Sequence, residues 1–311
     1  VPYFFQHRLK TNDNMAIRFT DLISEPAKTL KSIHIQMQNE LALWKKDFAD
    51  RCHSLSAHGQ RQFQNEIEAF DKEITRFATG IDLLSKYNMV CDAFRCMNQA
   101  FMNAAKSKGY DSWRLFQIVF IVSLLLDVVA HEPELMLDDD VKLKAKTDDL
   151  DILYFPTGGG KTEAFLGILV FNLFFDRLRG KNYGVTAFLK YPLRLLSVQQ
   201  VQRVANILAS AEMVRQSKEV GGRSFSLGYF VGDGNTPNKI SAELKARLME
   251  ITQSELDKTY RLLDFCPYCG HETVHINYDE STHTLKHICV SEGCTSSGVI
   301  PLYMVDNDIY R

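Results

Sequence analysis

The sequence predicts an α/β fold in which a helical N-terminal domain precedes a parallel sheet and a small cysteine-rich module. Apolar residues recur at helical spacing through the first 110 positions. Short apolar runs then alternate with longer apolar helical segments between positions 152 and 214, which favours parallel strands covered on both faces. From Phe265 onward cysteines and histidines are frequent, as in metal-binding modules.

The composition is that of a folded chain with room for two domains. Its 311 residues are 45% hydrophobic and 24% charged, with a formal net charge of -2. This balance excludes a polycation that binds nucleic acid by bulk charge, so any such contact needs a local patch. The apolar run from Ile118 to Ala130 is too short to span a bilayer. No secretory signal is visible, and we expect a cytoplasmic protein, not associated with a membrane.

Seven cysteines, four of them clustered at metal-ligand spacing, favour a reducing compartment over a disulfide framework. The chain starts with Val1 instead of Met and stops at Arg311. We expect it to be a piece of a longer protein.

The N-terminal domain is predicted to be a helical hairpin followed by a third helix. Apolar stripes at steps of three and four run from Leu30 to Phe48 and from Phe63 to Phe77. The residues Ser56 to Gly59 between them suggest a turn. A third apolar segment, from Tyr87 to Ala105, is closed by Gly109. These stripes indicate packing surfaces.

A strongly apolar helix is predicted from Trp113 to Val129, and a charged connector follows it at 131–149. The connector is predicted to be a solvated loop. The elements predicted after it are strand 152–155, helix 162–178, strand 185–189, helix 195–214 and a third strand within 226–231.

The most informative motif lies between the first predicted strand and its helix, and reads Phe-Pro-Thr-Gly-Gly-Gly-Lys-Thr-Glu at 155–163. Glycines allow consecutive backbone N–H groups to converge on phosphate oxygens, and a helix start adds unpaired N–H groups and partial positive charge. Lys161 can reach the β- and γ-phosphates of ATP, and the Thr162 hydroxyl can bind Mg²⁺. Both residues are therefore assigned to catalysis. The predicted nucleotide contacts are Thr157, Gly158, Gly159, Gly160, Lys161, Thr162 and Glu163.

Two motifs resemble those of superfamily two helicases and translocases. The general phosphate-loop pattern has Gly where Phe155 stands, but Pro-Thr-Gly-x-Gly-Lys-Thr resembles motif I of that superfamily. Tyr-Pro-Leu-Arg-Leu-Leu-Ser-Val-Gln-Gln at 191–200 resembles motif Ia, which lies against a sugar-phosphate backbone. The resemblance implies a RecA-like fold and DNA contacts, to a single strand or a duplex. The DNA-contacting residues it implies are Pro192, Arg194, Gln199 and Gln200. Taken alone, Arg194 would be an ordinary surface cation.

Trp-Arg-Leu-Phe-Gln at 113–117 resembles the adenine-reading element that precedes motif I in these motors. There a glutamine pairs with the base edge and an aromatic or basic side chain stacks on it, which implies nucleotide contacts by Gln117 and Arg114. The separation of Gln117 from Lys161 is longer than is usual, so the connector at 131–149 has to be an insertion. The alternative is that Gln117 is an ordinary helix-face residue.

Over roughly residues 90 to 311 the motifs together resemble the DrmA helicases of bacterial DISARM-type anti-phage systems. The helicase of the Druantia defence system is possible on the same motifs. The resemblance implies an ATP-hydrolysing DNA motor that works with other defence-system proteins. The further matching segments are 93–98, 177–180, 230–232 and 237–238.

Four late cysteines have the spacing of zinc ligands. Cys266-x2-Cys269 and Cys289-x4-Cys294 stand 19 residues apart. Two tight turns that each present two thiolates complete a tetrahedral Zn²⁺ shell, and a site closed by four sulfurs is structural. Strands at 273–277 and 284–288 would form the ribbon. The alternative ligands are His271, His283 and His287, of which the last two, with Lys286, are the nearby cations for a DNA contact.

A helicase also needs an acidic motif II and a second RecA-like domain. The sequence has no Asp-Glu-x-His or Asp-Glu-x-Asp, and Asp306 is the remaining candidate for the Mg²⁺ ligand. We therefore expect the isolated chain to bind ATP but to hydrolyse it poorly. The alternatives are another kind of P-loop NTPase, such as a small-molecule kinase, and a non-catalytic scaffold that recruits partners. The predicted domains are 1–110 (helical), 111–264 (first RecA-like), 265–300 (zinc ribbon) and 301–311 (return to the RecA-like domain).

Overall fold

The computed structural model describes residues 17–106, 109–154, 159–191, 194–229, 241–282, 284–296 and 299–304. These residues form a mixed α/β structure that is mostly helical. It divides into two compact units between Phe175 and Asp176, within one helix. The four domain ranges given above stay a prediction. No helix among the described residues combines the length and hydropathy needed to cross a bilayer.

The first unit is built from helices. They are α1 (Phe19–Ser24), α2 (Pro26–Arg51), α3 (Ala57–Lys86), α4 (Asn88–Ala105), α5 (Leu115–Ser123), α6 (Leu125–Val129), α7 (Asp139–Lys142) and the beginning of α8 (Lys161–Leu178). Two short strands, β1 (Ile17–Arg18) and β2 (Ser112–Trp113), pair antiparallel. Single 3-10 turns lie at Cys52–Ser54 and Pro133–Leu135.

Helices α2 and α3 form the predicted hairpin. The buried side chains of the two stripes are Leu30, Ile33, Met37, Leu41, Ile67, Ile74 and Phe77. Farther from this core, Trp44 packs on Phe70 with 5.0 Å between ring centroids, and Phe48 packs edge-on against Phe63 at 5.3 Å. Aromatic pairs therefore continue the contact towards the tip of the hairpin.

The turn of the hairpin lies earlier than predicted. Helix α3 already begins at Ala57, because the Ser56 hydroxyl caps it by accepting a hydrogen bond from the Gly59 N–H at 3.2 Å. The chain reverses through the 3-10 turn at Cys52–Ser54 instead. Gly59 is thus a helical residue, and the prediction of a turn at 56–59 is wrong.

The apolar helix predicted from Trp113 to Val129 is broken into α5 and α6 at Leu124. Trp113 is not helical and belongs to strand β2. Its indole N–H donates to Asn98 Oδ1 at 2.7 Å, and its ring packs on Phe101. Helix α5 lies close against α3. A methyl group at Gly80 of α3 would collide with the Val122 carbonyl oxygen and would lie 2.7 Å from Val122 Cγ1.

The second unit combines helices with a four-stranded sheet. Its elements after α8 are α9 (Arg194–Ser217), β3 (Leu227–Tyr229), α10 (Ala242–Glu250), α11 (Gln253–Tyr260), β4 (Val274–Asp279), β5 (Thr284–Cys289) and β6 (Val299–Met304). The strand order is β3-β6-β5-β4. Strands β4, β5 and β6 pair antiparallel, whereas β3 pairs parallel with β6, with Leu227 opposite Leu302.

The strands predicted at 152–155 and 185–189 are not formed in the described residues. Ile152 and Tyr154 are 79% and 95% exposed, and Phe188 is 65% exposed. A strand is stable only when neighbouring strands pair with its backbone and cover its faces. The described residues supply neither segment with such a partner. The predicted helices at 162–178 and 195–214 and the predicted third strand are present as α8, α9 and β3.

The predicted ribbon is present as the β4–β5 hairpin, and it shares a core with α9 and with strands β3 and β6. This core consists of Val201, Ala205, Tyr229, Leu263, Cys266, Val274, Cys289, Ile300 and Leu302. The side chain of Gln202 on α9 also binds the chain that leads into the first cysteine turn. Its Oε1 accepts from the N–H groups of Asp264 and Phe265 at 3.1 and 3.2 Å, and its Nε2 donates to the Phe265 carbonyl at 3.0 Å.

Candidate functional site

The described part of the glycine-rich loop leads directly into α8. Gly160 has a left-handed backbone with φ of +88°, and α8 begins at the next residue, Lys161. Lys161, Thr162 and Glu163 therefore form the first turn of the helix. The N–H groups of a first helical turn have no intrahelical partner, so they can bind an anion. Thr157 and Gly158, which were also predicted to contact nucleotide, lie outside the described residues.

The start of α5 holds this end of the loop by two hydrogen bonds. Gln117 Nε2 donates to the Gly160 carbonyl at 2.8 Å, and Arg114 Nη1 donates to the Gly159 carbonyl at 2.6 Å. Gln117 Oε1 in turn accepts from the Arg114 N–H at 2.8 Å, which fixes the amide. The fold thus brings the two residues of the predicted adenine-reading element to the phosphate loop, although they are more than forty residues away in sequence.

Gln117 is 5% exposed, and its amide is already engaged on both sides. A glutamine amide has two N–H groups and two acceptor lone pairs, so one of each remains for a further ligand. In this structure Gln117 positions the loop. Its contact with adenine stays a prediction.

The same contact explains why a glycine stands at position 160. A Cβ atom there would lie 2.8 Å from Gln117 Nε2, which is closer than van der Waals contact. The backbone at φ +88° also disfavours any residue with a side chain. Conformation and packing therefore both require glycine immediately before α8.

The second predicted motif forms the start of α9. Arg194 is the first residue of the helix, and Pro192 lies outside the described residues. Gln199 is exposed, while Gln200 is half-buried and accepts from Arg203 Nη1 at 3.3 Å. The helix start that the phosphate-binding interpretation needs is therefore present, and the contact with DNA stays a prediction. Asp306, the candidate Mg²⁺ ligand, lies outside the described residues.

The four cysteines of the ribbon converge at one point. The sulfurs of Cys266, Cys269, Cys289 and Cys294 all lie within 4.8 Å of one another. Cys266 and Cys294 are 3.7 Å apart, as are Cys269 and Cys289. Four thiolates at the usual Zn–S distance of about 2.3 Å stand about 3.8 Å apart in a regular tetrahedron. The sulfur positions therefore fit a tetrahedral metal ion.

The turns that present these sulfurs are formed by the backbone. The Gly270 N–H donates to the Cys266 carbonyl at 2.8 Å, and the Cys266 N–H donates to the His271 carbonyl at 2.9 Å. Burial raises the pKa of the Cys266 thiol. Burial alone would also raise the pKa of Cys294, but hydrogen bonds from the Ser296 hydroxyl and N–H lower it to about 7. A cation at the centre would favour the thiolate form of all four.

His287 and Lys286 have other partners. His287 is 1% exposed; one ring nitrogen accepts from the Leu262 N–H at 3.1 Å and the other donates to the Leu302 carbonyl at 3.2 Å. Burial lowers the pKa of His287 to about 4, so it is neutral near pH 7. Lys286 Nζ lies 2.6 Å from an Asp279 carboxylate oxygen. Of the cations proposed for a DNA contact, one is thus buried and neutral and one is paired, while His283 lies outside the described residues.

One residue that binds the chain ahead of the glycine-rich loop was not predicted from the sequence. Arg76 of α3 donates from Nη2 to Asp127 Oδ2 at 2.7 Å and from Nη1 to Asp151 Oδ1 at 2.9 Å. Arg76 is not part of the apolar stripe of α3, and arginines at such positions are ordinarily solvated. No sequence signal marks the contact, because its two partners are 51 and 75 residues away.

Comparison with known proteins places the chain close to the DISARM class of defence proteins. It is 33% identical over 277 residues to the DISARM protein DrmA of Bacillus paralicheniformis, and the match covers 76% of this chain. The resemblance to DISARM DrmA is thereby confirmed, and the chain is DrmA-like. It spans about a quarter (24%) of the length of the curated relative it matches. No family model matches the chain.

Proposed function

We propose that this chain is the ATP-binding part of a superfamily two DNA helicase or translocase that acts in bacterial anti-phage defence. The similarity to a DISARM protein supports the setting. The chemistry rests on one observation, which is the fixed glycine turn at Gly159–Gly160 directly before α8. A RecA-like fold belongs to this proposal, and the parallel pairing of β3 with β6 is in keeping with it.

The hydrogen bonds from α5 explain how the turn favours an anion. A carbonyl oxygen that faced a phosphate would repel it, but the carbonyls of Gly159 and Gly160 are engaged by Arg114 and Gln117. The N–H groups at the start of a helix would then bind the phosphate oxygens. The Lys161 ammonium would neutralise charge on the β- and γ-phosphates, and the Thr162 hydroxyl would be a ligand of Mg²⁺.

Zinc is the second cofactor that we propose. The sulfur separations fit its tetrahedral shell, and all four ligand positions are filled by protein. Such a site leaves no position for substrate, so its role would be to hold the β4–β5 hairpin against α9. We further infer that DNA and other defence-system proteins are partners, that the protein works in the cytoplasm, and that the isolated chain hydrolyses ATP poorly.

Titration calorimetry with ATP and Mg²⁺ on the 311-residue chain tests the nucleotide site. We expect the unaltered chain to bind and Lys161→Ala to lose most of the affinity, because one ammonium group would no longer face the phosphates. Lys31→Ala, a change of the same kind on the exposed face of α2, should bind as the unaltered chain does. Absence of any affinity for adenine nucleotides, with or without Mg²⁺, would refute the proposal.

A P-loop NTPase that does not act on DNA is the alternative. It is favoured by the ribbon, whose Lys286 is paired with Asp279 and whose His287 is buried. Repeating the titration in the presence of single-stranded and duplex DNA separates the two. A motor should change its ATP affinity when DNA is bound, since the two sites are coupled reciprocally, whereas the alternative predicts the same affinity in all three conditions.

A further inference from the structure

Arg76 joins three parts of the first unit. Its guanidinium links α3 to Asp127 on α6 and to Asp151, the residue from which the chain runs towards the phosphate loop. The three side chains are 22%, 12% and 28% exposed in that order, so the group is largely shielded from water. Burial lowers the pKa of Arg76, but the hydrogen bonds that it donates to Asp151 and Asp127 outweigh this effect and raise the pKa.

Asp127 also holds the connector. Its Oδ1 accepts from the Lys146 N–H at 2.6 Å, while its Oδ2 faces Arg76. The chain between these two aspartates thus leaves the helical core at Asp127 and returns at Asp151, and both carboxylates bind Arg76. The charged connector at 131–149 is closed into a loop by a single guanidinium.

The contact is strong enough to fix the position of the backbone. Exposed ion pairs stabilise proteins by about 0–1 kcal/mol because water and salt screen them. Here one planar guanidinium donates to two carboxylates through different nitrogens, in a partly buried site, which is the geometry that gives strong, directional hydrogen bonds. Loss of the guanidinium would leave Asp127 and Asp151 close together without their cation.

The opposite end of the same segment is held by α5. Arg114 and Gln117 bind the carbonyls of Gly159 and Gly160, and only Leu124 separates α5 from α6. Helix α5 is itself packed tightly on α3 at Gly80. Asp151 on one side of the loop, and Gly159 and Gly160 on the other, are therefore bound to one platform, which consists of α3, α5 and α6.

We infer that Arg76 is a positioning residue for the nucleotide loop, and that one role of the N-terminal helices is to fix where the chain enters that loop. Arg76 acts through Asp151 and touches no nucleotide. The ligand class, a nucleoside triphosphate with Mg²⁺, rests on the proposed function. The positioning itself rests only on the contacts of Arg76.

Two variants break the contact between Arg76 and Asp151, one at each of its partners. Arg76→Met keeps the length of the side chain without its charge, and Asp151→Asn leaves the bond between Arg76 and Asp127 in place. Arg51→Met is the matched control, because Arg51 pairs with Asp47 at 2.6 Å on the exposed face of α2. Each protein is examined by amide hydrogen exchange and by calorimetry with ATP and Mg²⁺, at a temperature at which circular dichroism shows it folded.

Arg76→Met and Asp151→Asn should both speed amide exchange at 150–154 and 159–163. Each should weaken ATP binding by about threefold to thirtyfold, the range found for residues that modulate a site without contacting its ligand. The double variant should be no weaker than Arg76→Met alone, since Arg76→Met already breaks the contact that Asp151→Asn removes. The Arg51→Met control should match the unaltered chain in both measurements.

The two readouts separate this inference from the proposed function. If the unaltered chain does not bind ATP, the proposed function fails, and exchange at 150–154 still decides whether Arg76 positions the segment. Unchanged exchange in both variants overturns the inference, as does unchanged ATP affinity in folded Arg76→Met. Additive losses in the double variant also overturn it, because the two residues would then act separately. If Arg76→Met fails to fold, amide exchange at 150–154 in Asp151→Asn tests the inference in the same way.

Discussion

Single residues decide how the glycine-rich loop meets α8. Gly160 has a backbone that disfavours side chains and lies against the amide of Gln117, which in turn binds its carbonyl. The effect of the backbone conformation and the effect of the contact with Gln117 can be measured separately. Replacing a glycine that has a similar backbone but no close neighbour incurs only the conformational cost.

Gly160→Ala should therefore destabilise the chain more than Gly109→Ala. Gly109 has φ of +74°, and a methyl group there would meet no atom within 4 Å, so its replacement costs about 1–2 kcal/mol of backbone strain. Gly160→Ala adds the displacement of Gln117, worth about 1 kcal/mol more for the weakened hydrogen bond. Urea unfolding followed by circular dichroism measures both. Equal losses in the two variants would show that Gln117 does not hold the loop.

At the scale of elements, the packing of α3 on α5 sets the platform beneath the loop. The contact is close because Gly80 has no side chain and the Val122 carbonyl fills the space. Helix α3 contains a second glycine, Gly59, near its N-terminus, where a methyl group would meet Ser56 Oγ at 3.5 Å in ordinary contact. One helix thus provides a crowded glycine and an open one.

Gly80→Ala should destabilise the chain by about 1–3 kcal/mol, since the helices must separate to admit the methyl group. Gly59→Ala should leave stability unchanged or raise it by up to about 1 kcal/mol, because alanine favours the helical backbone. Thermal unfolding of both variants measures the difference. The same stability for the two variants would mean that α3 and α5 are not in close contact.

The sequence predicted those elements whose signals are local. The stripes of α2 and α3, the apolar α8 and the spacing of the four cysteines each lie within a short stretch, and the structure has them where expected. The strands at 152–155 and 185–189 depended on distant pairing partners, which a run of apolar residues does not specify. The contact of Arg76 was not predicted for the same reason, because its two aspartate partners are far away in the chain.

At the scale of the whole molecule, the division between Phe175 and Asp176 separates the helical platform from the sheet with its four cysteines. The sheet draws part of its core from Cys266 and Cys289 themselves. Loss of the metal that we propose would therefore disturb the second unit from its interior. The helices α3 and α4 contain none of the four sulfurs.

The chain should contain about one zinc ion, and a chelator should remove protection from amide exchange in β4 and β5 while leaving α3 and α4 protected. Elemental analysis and hydrogen exchange test this together. Cys289→Ser should lose the metal, and Cys52→Ser, a change outside the cluster, should retain it. Full zinc content in Cys289→Ser would exclude the four-sulfur site.

The closed connector has a consequence for how the protein can vary. Since Asp127 and Asp151 meet at the same guanidinium, the number of residues between them does not affect where the chain arrives at the loop. Doubling the length of such a spacer costs only about 0.6 kcal/mol in closure entropy. The unusually long interval between Gln117 and Lys161 therefore does not disturb the loop, and we expect a tag or a reporter inserted in the exposed part of the connector, near Leu143, to have little effect on the rest.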